Sequence, residues 1–139
     1  MHRSFEGLRA GAALLVLAAS QLAGPAHAEK IANPVAVFAG LDKITGRIIS
    51  FDVYMDETVQ FGALQVTPRV CYSRPPTEAP QTDAFVEVDE ITLARKVKRL
   101  FTGWMFAASP GLHAVDHAVY DVWLTDCKTS SPVAPPAKQ

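Results

Sequence analysis

Only two cysteines, Cys71 and Cys127, occur in the 139-residue chain. They are far apart and unaccompanied, so the closely spaced four-ligand set of a structural zinc site is missing. Charge of one sign is equally scarce, with 13 Lys and Arg against 14 Asp and Glu. That balance leaves no electrostatic footprint for nucleic acid. No apolar run reaches the roughly 20 residues that cross a bilayer; the uncharged stretch from Ala10 to Ala19 falls well short. No internal repeat is visible, which excludes solenoids and arrays.

The two ends have distinct compositions. His2, Arg3 and Arg9 accompany the apolar stretch, and Ala26-His27-Ala28 follows as a small-x-small site. Residues 1–28 therefore read as a cleavable signal peptide, cut after Ala28. No cysteine stands near that point to take a lipid. The mature protein is expected in the periplasm, with no membrane-spanning segment of its own. Removal of Arg3, Arg9 and Glu6 leaves 11 Lys and Arg against 13 Asp and Glu. At the carboxyl end KTSSPVAPPAKQ carries three prolines and little to bury, and residues 129–139 are expected to be disordered.

Residues 29–128 remain as a single small domain, of a size that gains from a covalent staple. An even cysteine count in an exported chain predicts a Cys71–Cys127 disulfide. Closing so long a loop removes chain entropy worth about 4 kcal/mol.

Within the domain, polar and apolar residues alternate in short runs punctuated by proline and glycine, the pattern of half-buried strands. RIISFDVYM sets Ile49, Phe51, Val53 and Met55 on one face, with Ile48, Ser50, Asp52 and Tyr54 on the other. The next run passes through Pro68, which predicts an edge strand or a bulge because proline cannot donate to a ladder. DEITLARKVKRLF (Asp89–Phe101) also carries a helical stripe of Leu93, Val97, Leu100 and Phe101. Flanked by strands on both sides, it reads as a hairpin turning near Ala94 and Arg95. Its basic run Arg95–Arg99 is, in an exported protein, either a patch for acidic envelope components or, the commoner outcome, a solvated face, and Glu87, Asp89 and Glu90 could pair with it across the hairpin. The expected fold is all-β: six to eight antiparallel strands closing as a small barrel or a sandwich. One short helical turn is predicted at Ser109-Pro110, a serine N-cap followed by proline at N1.

Chemistry-bearing residues concentrate in GWMFAASPGLHAVDHAVYDVW (Gly103–Trp123), which holds both tryptophans. His113, Asp116 and His117 have the outline of an inverted zinc-protease motif with aspartate for glutamate. The stretch is too short for the helix that motif needs, and no metal or other cofactor is expected. Ser109 departs by one residue from a nucleophile elbow, and the chain has no room for the parallel sheet beneath one. What remains is a candidate binding surface of Trp104, His117, Tyr120, Asp121 and Trp123. Alternation forces Tyr120 and Trp123 to opposite faces, so at least one large ring lies outside the core or under a loop.

LDKITGRIISFDVYMDETVQFGALQVTPRVCY, AFVEV and LFTGWMFAASPGLHAVDHAVYDVWLTDC together resemble the DUF2155 family of small exported alphaproteobacterial proteins. The strings G-W-M-F-A-x-S-P and Y-D-V-W-x-x-x-C are the specific ones. The family pattern H-P-x-Y-D-V-W is met here by His117-Ala118-Val119-Tyr120-Asp121-Val122-Trp123, without the proline, and His113 lies outside it. The resemblance implies export and brings no established activity. Three readings follow. The first is a non-catalytic envelope scaffold or accessory subunit that meets an envelope or membrane protein partner. The second is a small glycan- or peptidoglycan-binding module. The third is a small hydrolase using Asp121 and His117.

Overall fold

The computed structural model describes residues 29–135. The expected signal peptide, residues 1–28, lies outside the described residues, as do residues 136–139. The described chain forms nine strands in two antiparallel sheets. In sheet A, β5 (Leu64–Ser73), β6 (Asp83–Ile91) and β7 (Val97–Phe106) lie side by side, with β1 (Ile31–Ala32) and β4 (Val59–Phe61) both paired to β5. Sheet B runs in the order β3 (Arg47–Tyr54), β2 (Val35–Asp42), β9 (Tyr120–Lys128), β8 (Val115–Asp116).

The sheets stack face to face as a sandwich; of the two all-β closures expected, the barrel is not formed. Phe38, Val53, Val66, Val86, Val88, Met105, Val122 and Leu124 point inward, none more than 1% exposed. Alternation produces this directly, since every second residue of a strand faces the same side. Three bulges adjust it. Pro68 sits at one, where the β5–β6 register slips between Pro68 and Val70. Pro68 also falls in the gap between the β4 and β1 pairings of β5, so β6 is its one strand partner there and both the bulge and the local edge accommodate the proline. A second slip, between Val88 and Asp89, lets Leu100 and Phe101 both reach the core.

The segment from Asp89 to Phe101 is a hairpin. Its turn hydrogen-bonds Thr92 to Lys96 and places Arg95 at φ 59°. Arg99 pairs with Asp89 and, at 3.7 Å, with Glu87 across the ladder. The helical turn expected at Ser109-Pro110 is corrected: among the described residues there is no helix. The Ser109 amide donates to the Phe106 carbonyl and the Leu112 amide to the Ser109 carbonyl, each at 3.1 Å, and these two isolated turns do not extend into a helix. Helix nucleation fixes several residues for a single bond, and too few residues separate Ser109 from β8 to extend it.

Residues 129–135 of the tail are described, and two contacts tie them to β3. Ser131 donates its hydroxyl to Asp52, and the Tyr54 hydroxyl donates to the Val133 carbonyl at 2.7 Å. Burial pushes the Asp52 carboxyl up, but hydrogen bonds from Lys128 and Ser131, with the Lys128 charge 2.6 Å away, outweigh it and hold it below the usual carboxylate range.

Cys71 on β5 and Cys127 on β9 form a disulfide across the two sheets, with Cα atoms 5.7 Å apart and 56 residues of separation. Reduction, or replacement of both cysteines by alanine, is expected to cost about 4 kcal/mol. Urea midpoints with and without reductant measure this; equal midpoints would contradict it.

Candidate functional site

The five candidate residues go to three places. On β9 the inward set is Tyr120, Val122 and Leu124, while Asp121 and Trp123 face out from sheet B. Trp104 lies on the outer face of sheet A.

Tyr120 closes one end of the core. Ring contacts run from Phe38 to Phe51 at 5.8 Å, to Phe61 at 5.8 Å and to Tyr120 at 5.4 Å, and end on His117 at 5.7 Å. Two glycines make room for them. A Cβ on Gly40 would lie 2.7 Å from the Phe61 ring, and one on Gly62 would lie 2.3 Å from the Tyr120 ring. His117 is pinned on both nitrogens. The Val119 amide donates to Nδ1 at 3.0 Å, so the ring proton sits on Nε2, which donates to Glu90 at 2.9 Å. This bond joins the β8–β9 loop of sheet B to the end of β6 in sheet A. His117 and Tyr120 are thus an inter-sheet clasp.

Outside sheet B, the Lys43 ammonium lies 2.7 Å from the Asp121 carboxylate and donates to the His117 carbonyl at 2.7 Å. With Trp123 these two side chains line a shallow groove of about 540 Å³, walled by Pro110, Gly111 and Ala114 of the loop that follows β7. Among the described contacts the Asp121 carboxylate pairs with Lys43 and the His117 ring with Glu90, and none joins the two side chains directly. The two histidines of the zinc-like motif also diverge, with His113 packing on the edge of Phe106 at 5.7 Å. Among the described residues no group of three or more His, Cys, Asp or Glu is placed to hold a metal ion.

On the outer face of sheet A, Phe85 is the direct cross-strand partner of Trp104 and meets it edge to face at 5.5 Å. Tyr72 reaches over β6 to stack with the same indole at 6.2 Å and carries the Lys30 ammonium 5.3 Å above its own ring. Trp104 keeps 37% of its surface exposed. Beside the rings runs a charged ladder, in which Arg69 bonds Asp56 and Glu87, each at 2.9 Å. Those bonds, and the matching one from Arg99 to Asp89, raise both guanidinium pKa values above the ordinary range. The result is a faceted aromatic patch with an ionic rim.

A family profile described as an uncharacterized protein conserved in bacteria (DUF2155) matches residues 36–127. The chain belongs to the DUF2155 family. The DUF2155 match starts in β2 and ends at Cys127, so it contains both cysteines, the Phe61–Tyr120 contact and all three surfaces described above. Neither a curated protein nor a solved structure matches the chain.

Tyr72, Phe85, Lys43 and Glu90 were not among the candidates that the sequence offered. Phe85 was within reach: a two-residue turn at Ala94-Arg95, counted back along both strands, sets it opposite Trp104. The other three are brought in from distant strands, and no local pattern marks them.

Gly62→Ala tests the clasp. Gly62 has φ +58°, a conformation costly for alanine, and its new Cβ would overlap the Tyr120 ring. A loss of about 2 to 4 kcal/mol is expected in urea unfolding. An unchanged midpoint would mean that Tyr120 does not pack there.

Proposed function

We propose that the protein is a non-catalytic, exported envelope protein, a scaffold or accessory subunit that docks a protein partner on the outer face of sheet A. The observation that carries this is the Tyr72–Phe85–Trp104 patch, an aromatic surface left open on a sheet whose other face is core. Aromatic anchors within a polar rim are what protein interfaces concentrate. Because the rings meet edge to face as well as stacked, they present ridges and recesses to apolar side chains; a sugar ring stacks on a single flat face. The arginine and carboxylate ladder along the rim suits a partner with charges of both signs. Export rests on the basic, apolar and Ala26-His27-Ala28 features of the leader.

A second reading has its own observation. The groove beside Trp123 offers one indole with a carboxylate and an ammonium next to it, groups suited to a saccharide from the envelope. In that reading Trp123, not Trp104, carries the binding.

The two separate in one experiment. The partner is identified by cross-linking in envelope fractions, and its affinity is then measured for the wild type, Trp104→Ala and Trp123→Ala, with the thermal midpoint as a folding check. Trp104→Ala is expected to weaken binding by about 2 kcal/mol or more, and Trp123→Ala to leave it within about twofold. Equal affinity of the wild type and Trp104→Ala would reject the docking face. A saccharide whose binding depends on Trp123, in the absence of any protein partner, would establish the second reading.

A further inference from the structure

One end of the sandwich has a composition unlike the rest of its surface. β6 leaves the disulfide at Ala84 and reaches Glu90, while β9 starts at Tyr120 and returns to Cys127. The His117–Glu90 bond therefore lies at the end opposite the disulfide. The β2–β3 hairpin tip is fastened there as well, since the Lys43 amide donates to the Val119 carbonyl at 2.8 Å. The β6–β7 tip follows directly after Glu90 and Ile91. Two hairpin tips, one from each sheet, thus project from the same end.

Both tips carry large apolar side chains outward. Leu93 is fully exposed, Ile44 is 78% exposed, and Ile48 and Val97 are 63% and 64% exposed. Interspersed with them are the exposed cations Arg47, Arg95, Lys96 and Lys98. Two acidic side chains there, Asp42 and Glu90, are engaged within the protein. Asp42 accepts the Ile44 and Thr45 amides, and Glu90 holds His117.

Most amides of the two tips are bonded within the protein. Each amide from Lys43 to Arg47 donates within the protein, and so do those of Thr92, Arg95 and Lys96. Peptide groups entering the boundary between headgroups and acyl chains lose water, so internally bonded turns are the ones that can enter. Separate apolar tips within a basic surround match an interface in which side chains insert between headgroups and cations meet phosphates.

We propose that this end of the sandwich seats the domain on an anionic phospholipid surface, with Ile44 and Leu93 inserted and Arg47, Arg95, Lys96 and Lys98 on the headgroups. Docking there leaves the outer face of sheet A standing away from the bilayer, open to a protein partner.

The test is co-sedimentation of residues 29–139, which contain both sheets, their core and the disulfide, with two kinds of vesicle. One is phosphatidylcholine alone; the other also contains phosphatidylglycerol. Binding is expected only to the anionic vesicles, and it should weaken as salt rises above about 0.1 M. Leu93→Asp is expected to reduce it at least about tenfold. Lys96→Gln with Lys98→Gln should reduce it by about fivefold for each charge removed. Leu93 lies outside the core, so an unchanged thermal midpoint shows that Leu93→Asp still folds. Lys128→Gln removes a charge at the disulfide end and is expected to leave binding unchanged. Failure to prefer anionic vesicles would overturn the proposal, as would equal losses from Lys128→Gln and from the tip variants.

Discussion

The Cys71–Cys127 bond is the constraint on which the rest of the sandwich depends. The core it closes is built largely from valines, with Phe38, Leu64, Met105 and Leu124 as its largest fully buried side chains. A domain this small buries a limited share of its surface, so burial alone holds the two sheets together weakly. The disulfide ties β5 to β9 at one end. At the other, a non-covalent clasp takes the same role: Phe61 and Tyr120 wedge into the spaces beside Gly40 and Gly62, and His117 bonds Glu90 across the gap.

That arrangement determines which residues are available for anything else. His117, which the hydrolase reading paired with Asp121, bonds Glu90 and stacks on Tyr120 between the sheets. Asp121 is committed to Lys43. Tyr72, Phe85 and Trp104, three aromatic residues not used for closure, lie on the outer face of sheet A. There the two-sheet architecture has no third layer to cover them. The apolar residues at the hairpin tips are likewise outside the core, since a turn projects beyond both sheets. The proposed docking surfaces are where the sandwich has no use for its own apolar side chains.

Much of this was legible in the sequence, and the reason differs by element. Strand faces follow from alternation, so Ile49, Phe51, Val53 and Met55 and their opposite set were assigned from RIISFDVYM. Pro68 announced its bulge because it lacks a donor. The hairpin at Ala94-Arg95 won over a helix because its neighbours are strands, although Leu93 and Val97, two members of the apparent helical stripe, turn out to be solvent-facing. The parity argument also correctly separated Tyr120 from Trp123. Sheet membership was not legible, because alternation gives the face of a strand and says nothing about its neighbours in space. Hence the candidate site was drawn as one surface when its members occupy three, and Glu90, Lys43 and Tyr72 went unnoticed beside their partners. The turn at Ser109-Pro110 shows the limit of a local signal: serine and proline have the chemistry of a helix start, but the length needed to continue it is missing.

The central claim is that the face around Trp104 and the end around Leu93 meet different things. A photo-crosslinking residue placed at 104 or at 93, in otherwise unchanged protein expressed in its own cell, addresses it directly. The account predicts a discrete protein adduct from position 104 and a lipid adduct without that protein band from position 93. The same protein adduct from both positions, or none from position 104, would contradict it.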